Sequence, residues 1–134
     1  MPKMLQRAAI AAIAATSIVC LTPSIADAAV KNGVCEGGEN CMYDSATFSF
    51  GRMYDNNSGN DGDLRNNTYV SSSVSVNNSI SAIQNQTSTA FRYSDGYNGA
   101  GTSICLGTGT STILTGGWSY FNNDTSSHYA RPIC

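Results

Sequence analysis

Apolar residues recur at every second position in short runs along the chain from about residue 40 onward, and clusters of Gly, Ser, Thr and Asn separate the runs. A period of two places successive side chains on opposite faces of an extended strand. No window keeps the i, i+3, i+4 apolar spacing of a helix. The chain is therefore predicted to be all-β. The predicted strand segments are 41–43, 52–54, 69–70 with 74–76, 80–83, 89–93, 103–106 and 112–114.

The N-terminal residues follow a different pattern. Lys3 and Arg7 precede an apolar, alanine-rich run that is too short for a membrane span, and Ala26-Asp27-Ala28 matches a signal-peptidase site. We therefore expect residues 1–28 to be a signal peptide. Residues 29–134 are expected to form one secreted, extracellular domain, because they are too few to build two cores.

The part of the chain after position 28 is acidic, with five basic and eight acidic residues and a net charge of −3. Phosphate binding needs a basic stripe, and binding to a membrane surface needs a cationic amphipathic helix. The sequence shows neither feature. It therefore predicts no nucleic-acid partner and no membrane partner, and we expect a monomer.

Four cysteines follow the predicted cleavage site, and an exported chain with an even number of cysteines usually forms disulfides. Three pairings are possible on paper. Cys35 and Cys41 enclose only five residues, two of which are flexible glycines, so we expect the disulfides Cys35–Cys41 and Cys105–Cys134. Free buried thiols are the alternative.

One polar motif occurs twice. Asn77 to Ile83 begins Asn-Asn-Ser-Ile-Ser, and Asn122 to Ser127 repeats the pattern Asn-Asn-x-x-Ser about 45 residues later. Each copy follows a segment of aromatic residues and glycines. A repeat of this length indicates an internal duplication, with halves at about 33–86 and 87–134.

This order of elements resembles the βγ-crystallin fold, a sandwich of two Greek-key motifs. The aromatic-glycine corners Tyr43 to Gly51 and Tyr93 to Gly99 are each one residue away from the family's spacing. The second Asn-Asn motif matches the family's calcium clamp at every position, and the first differs only at Ala82. The resemblance predicts a βγ-crystallin-like sandwich of two Greek keys, braced by disulfides.

The same resemblance implies a set of oxygen ligands for Ca²⁺, which is the one ion that the fold suggests, although no cofactor is required. Only one of them is a carboxylate. The alternative is that these side chains only hydrogen-bond the backbone of the arches. The implied ligands are Asn78, Ser79, Ser81, Asn123, Asp124 and Ser126.

The segment from Asn32 to Tyr43, with its Cys-x(5)-Cys loop before an aromatic strand, is similar to secreted actinobacterial peptidase inhibitors of the Streptomyces metalloproteinase inhibitor type. That resemblance implies an extracellular protease as the partner. It also implies an inhibitory loop at Cys105-Leu106. The other interpretation of Leu106 is a core strand residue.

Catalytic signatures are absent from the sequence. His128 is the only histidine and is expected at the surface or at a strand end, and neither His-Glu-x-x-His nor Gly-x-Ser-x-Gly occurs. We therefore expect a secreted inhibitor of peptidases, with metalloproteinases as its targets, rather than an enzyme. The alternatives are a calcium-binding or structural extracellular module, and a small secreted toxin or antifungal protein.

Overall fold

The computed structural model describes residues 31–56 and 59–134, so the predicted signal peptide lies outside the described residues. The described chain is all-β, as the alternating pattern predicted, and its only helical elements are three short 3-10 turns. The strands are β1 (Asn40–Tyr43), β2 (Met53–Asn56), β3 (Ala82–Asn85), β4 (Ala90–Ser94), β5 (Ser103–Leu106), β6 (Thr110–Ile113) and β7 (Ser127–Arg131).

The strands form two antiparallel sheets that exchange elements between the two halves of the chain. One sheet has the order β2-β1-β3-β6, and the other has the order β5-β4-β7. Strand β6 of the second half thus completes the first sheet. In return Asp61 of the first half pairs with His128 on β7. This exchange ties the halves into one sandwich of Greek keys.

Apolar side chains from both sheets fill the space between them. On β1 the inward position is Met42, and β4 contributes Phe91 and Tyr93 two residues apart, as the strand period requires. Burial of this apolar surface is the main favourable contribution to folding. The other fully buried members include Tyr54, Leu64, Tyr69, Val76, Ile80, Ile83, Leu114 and Phe121.

Both expected disulfides are present. Cys35–Cys41 joins the N-terminal segment to β1, and Cys105–Cys134 joins β5 to the segment after β7. The first bond helps to cover the outer face of the four-stranded sheet, where Cys41, Tyr43 and Met53 form a second buried cluster. The two disulfides indicate folding in an oxidising environment.

One local prediction was wrong. The alternating residues 69–76 form no strand, because the chain turns there and keeps only the single bridge between Thr68 and Ser75. The polar segment 59–67 is not all at the surface. Its one apolar residue, Leu64, is fully buried and starts the 3-10 turn Leu64–Asn66, which Asp63 caps.

None of the helical elements in the described ranges is long and apolar enough to cross a membrane.

Candidate functional site

The two Asn-Asn motifs form a pair of arches, which we define as residues 77–81 and 122–126. In each arch the second asparagine adopts a left-handed backbone, with φ of 54° at Asn78 and 61° at Asn123. Asparagine enters this region more readily than other residues that carry a side chain. The repeated Asn is therefore explained in part by backbone conformation.

The arches cross, and each one hydrogen-bonds the other in the same way. The amide of Asn78 donates to the carbonyl of Thr125 at 3.0 Å, and the amide of Asn123 donates to the carbonyl of Ile80 at 2.9 Å. Thr125 belongs to the second arch and Ile80 to the first. This reciprocal pairing relates the two arches by an approximate twofold axis.

The side chains repeat this symmetry. Ser126 Oγ donates to Asn78 Oδ1 at 2.9 Å, and Ser81 Oγ donates to Asn123 Oδ1 at 3.4 Å. Both serines are buried, whereas both asparagines are exposed. The structure therefore brings four of the six predicted ligands together as two Ser–Asn pairs beside solvent.

The first arch is held by a further set of hydrogen bonds. Tyr69, which is buried in the core, donates its hydroxyl to the carbonyl of Ser79 at 3.0 Å. The hydroxyl of Ser79 itself donates to the carbonyls of Ser75 and Val76. Since its hydroxyl is used by residues just before the arch, Ser79 offers a cation its carbonyl oxygen. The matching residue of the second arch, Asp124, is exposed.

The donor set of the arches fits a hard cation. Its atoms are hydroxyl, amide and carbonyl oxygens, which Ca²⁺ prefers. The oxygens of each Ser–Asn pair are 2.9 or 3.4 Å apart. Two atoms this close can both contact one ion at the calcium–oxygen distance of about 2.3–2.6 Å. The buried amide oxygen of Asn77, at the start of the first arch, has no hydrogen-bond partner.

No group of three His, Cys, Asp or Glu side chains able to hold a metal occurs in the part of the chain that the structure describes. A carboxylate-rich calcium site or a zinc site is therefore not formed by these residues. Any cation at the arches would be held mainly by neutral oxygens, because Asp124 is the one carboxylate within the two arches.

Cys105 and Leu106, the residues expected to form an inhibitory loop, lie within strand β5. Leu106 pairs with Phe91 of β4, and its side chain belongs to the core. A protease cleft needs a protruding, accessible segment, and this segment is part of a sheet. Leu106 occupies an inward position of the strand, which agrees with its other interpretation as a core strand residue.

His128 was expected at the surface or at a strand end. It is the second residue of β7, and it is fully buried between the sheets. Its Nδ1 accepts a hydrogen bond from the amide of Asn40 at 3.2 Å, because the carbonyl of that amide already accepts from the Tyr93 hydroxyl. Its Nε2 has no hydrogen-bond partner. The position could have been inferred from strand phase, since His128 and Ala130 share the inward face of β7.

Burial lowers the pKa of His128 to about 4, and the nearby Asp61 only partly opposes this effect. Burial likewise raises the pKa of Tyr93 well above its usual range, although its hydrogen bond to Asn40 acts in the other direction. The neutral forms of both rings are therefore favoured in the folded protein. Phe91 and Tyr93 pack against the imidazole, with ring centroids 5.6 and 6.3 Å away.

No protein-family model and no curated protein matches the sequence. Solved structures do match the fold. One structure, solved in work on the evolution of the eye lens βγ-crystallin domain fold, has a TM-score of 0.60 at 22% identity, covering 76% of this chain and 96% of that chain. A βγ-crystallin from an archaeon has a TM-score of 0.53 at 22% identity, covering 72% of this chain and 100% of that one. This protein therefore has the βγ-crystallin fold.

Proposed function

We propose that this protein is a small secreted βγ-crystallin module that binds Ca²⁺ weakly at its crossed arches and is stiffened by it. The proposal is supported above all by the reciprocal Ser–Asn pairs, Ser126 with Asn78 and Ser81 with Asn123. They place two equivalent sets of oxygens next to solvent. Two ions per chain are therefore expected.

The affinity should be low. Only Asp124 supplies a carboxylate within the arches, and calcium affinity rises with the number of charged ligands. Extracellular calcium modules bind with dissociation constants of about 10⁻⁴–10⁻³ M, which suits an environment rich in calcium. The predicted signal peptide and the two disulfides support an extracellular location for this module.

The backbone of each arch positions the oxygen atoms that would bind the ion. Asn78 and Asn123 hold a left-handed backbone, so that their amide oxygens face the serine of the opposite arch. The serine hydroxyl has lone pairs to offer and a hydrogen that can rotate away from an incoming cation. Because the ligands come from both arches, ion binding would resist separation of the two halves.

Thermal unfolding with and without calcium tests the proposal directly. A ligand of the native state adds RT ln(1 + [L]/Kd) for each site, so 10 mM Ca²⁺ should stabilise the protein by about 1–3 kcal/mol per site. Two independent sites together should add roughly 3–5 kcal/mol and raise the melting temperature clearly. Magnesium at the same concentration is the matched control ion, because it demands a tighter octahedral shell. Isothermal titration should give two sites.

Serine variants locate the sites. Ser81→Ala and Ser126→Ala should each reduce the stoichiometry from two ions to one, and the double variant should lose the calcium shift. Ser73→Ala is a matched control, since Ser73 is exposed and lies outside both arches. Equal melting temperatures in chelator and in 10 mM Ca²⁺ would contradict the proposal.

Protease inhibition, the function expected from the sequence, has no support from an exposed loop at Cys105-Leu106, because Leu106 is buried. The test remains simple. Thermolysin titrated with the purified protein should retain its activity at a twofold molar excess if the protein is only a structural module. Stoichiometric loss of thermolysin activity would instead support the inhibitor hypothesis, and the contact with the protease would then have to involve another segment.

A further inference from the structure

Residues 105–123 belong to the longest uncharged run after position 28, residues 96–123, which contains no Asp, Glu, Lys or Arg. They include the end of β5, the whole of β6 and the 3-10 turn Gly116–Phe121. Most of this segment is exposed. An uncharged stretch of this length on the surface of an acidic protein limits the partners that it can attract.

Two aromatic side chains project from the 3-10 turn. Trp118 is 43% exposed and Tyr120 is 56% exposed, with their ring centroids 6.3 Å apart. The next residue, Phe121, is buried in the core and contacts Tyr120 edge to face, at 6.2 Å and 89°. The core residue thus anchors the turn, so the two outer rings are held toward solvent by a fixed backbone.

Backbone hydrogen bonds connect the turn that carries these rings to strand β6. The amide of Thr115 donates to the carbonyl of Ile113 at 2.8 Å, and the amide of Trp118 donates to the carbonyl of Thr115 at 3.0 Å. Strand β6 is an edge of its sheet, and it exposes the hydroxyl residues Thr110 and Ser111. We call the exposed side chains of β6 together with Trp118 and Tyr120 the aromatic strip.

We propose that the aromatic strip binds a neutral polysaccharide. The C–H face of a pyranose ring is apolar and packs on indole and phenol rings, while its hydroxyl groups pair with hydroxyl side chains. The absence of charge matches an uncharged polymer. It gives no attraction to nucleic acids, which need a basic surface, and no steering of charged proteins.

Neutral polymer is favoured over a protein partner by the composition of the strip. Protein interfaces place aromatic anchors in a well-packed apolar core, often with arginine. Here the residues that precede the two rings in the chain, 107–117, are mostly Thr, Ser and Gly, and Ile113 is the exposed aliphatic residue among them, at 36%. The binding does not depend on calcium at the arches, so either proposal can fail without the other.

Trp118 is the only tryptophan of the chain, which makes its fluorescence a direct reporter of the strip. Titration of the purified protein with neutral hexasaccharides, namely cellohexaose, laminarihexaose and xylohexaose, should shift or quench this emission for at least one sugar. Hexagalacturonate is the anionic comparison and should leave the emission unchanged. Retention on insoluble cellulose, curdlan, xylan and chitin provides a second measurement without a fluorophore.

Variants separate stacking from general adhesion. Trp118→Ala combined with Tyr120→Ala should weaken retention about tenfold or more, because both stacking surfaces are lost. Phe50→Ala is the matched control. Phe50 is 77% exposed but lies on the loop that leads into β2, the strand at the opposite edge of the sheet from β6. Retention by that variant should equal that of the wild type.

Three results would overturn the proposal. The first is a wild type that is retained on none of the neutral polymers and responds to none of the sugars. The second is a Phe50→Ala variant that loses as much retention as the double variant, which would indicate non-specific adhesion. The third is a dimer in sedimentation that the double variant abolishes, which would assign the strip to a second copy of the chain. Unchanged melting temperatures of the variants would show that each result concerns binding rather than folding.

Discussion

Ser126 donates a hydrogen bond to the side-chain carbonyl of Asn78 at 2.9 Å, joining two residues that lie 48 positions apart in the chain. The matching contact from Ser81 to Asn123 spans 42 positions. Each motif is thus completed by its repeat, and neither arch has its full set of contacts alone. The duplicated motif therefore couples the two halves of the fold.

Substitutions at Asn78 should separate the backbone role of this residue from its side-chain role. Asn78→Ala places at φ of 54° a residue that enters the left-handed region less readily than asparagine, and it also removes the acceptor of Ser126. We therefore expect the free energy of unfolding to fall by about 1–2 kcal/mol. Asn78→Gly keeps the left-handed backbone and should lower the free energy of unfolding by less. Urea denaturation gives both values. Equal losses would show that the left-handed conformation contributes little.

Acid should destabilise the protein through His128. The pKa of this residue is about 4 in the folded protein, against about 6.5 in an unfolded chain. Above pH 6.5 neither state binds the proton. Below it only the unfolded state does, so the free energy of unfolding should fall by up to about 1.4 kcal/mol per pH unit until pH 4.

Denaturation at pH 7.5, 6.5, 5.5 and 5.0 checks this dependence in a range where most carboxylates stay ionised. His128→Gln removes the only histidine and should flatten the profile over that range, whatever its effect on stability at neutral pH. A wild-type stability that stays constant from pH 6.5 to 5.0 would show that the imidazole can be protonated inside the fold.

Loss of the Cys105–Cys134 disulfide should clearly lower the free energy of unfolding, although the bond lies at the surface. The bond closes a loop with a sequence separation of 29, for which the chain-entropy model gives about 3–4 kcal/mol. Both cysteines are exposed, so Cys105→Ser with Cys134→Ser adds no buried polar group. The melting temperature of the double variant measures the effect. A change near zero would mean that β5 and the segment after β7 are already held by other contacts.

Leu106→Ala should destabilise the protein by about 2–5 kcal/mol, because the side chain is 7% exposed and packs in the core between the sheets. Ile133→Ala is the control, since Ile133 is 80% exposed and its truncation should change stability little. Denaturant titration compares the two variants. A neutral Leu106→Ala would favour the loop interpretation of this residue over the strand interpretation.

Much of the fold could be predicted from local patterns. The period of two identified six of the seven strand positions near residues such as Met42, Phe91 and Ile104, and the short glycine-containing loop identified the pairing of Cys35 with Cys41. The pattern failed at 69–76. There the alternation is genuine, but Tyr69 and Val76 are buried from a turn rather than from a strand.

The candidate site shows the same division. The repeat of Asn-Asn-x-x-Ser could be read directly from the chain, since its residue types are set by a left-handed backbone and a hydroxyl donor. The crossing of the arches could not. It depends on which strands pair, and pairing partners such as Asp61 and His128 are chosen by the whole sandwich rather than by neighbouring residues.

The sequence by itself determined the β class, the duplication and the cysteine framework, because alternation, repeat length and loop closure are local properties of the chain. Only the tertiary structure decided which side chains meet. Leu106 and His128 became core residues, and Trp118 remained at the surface, because burial depends on how the sheets exchange strands and face one another. Long-range contacts of this kind leave no mark in a single window of sequence.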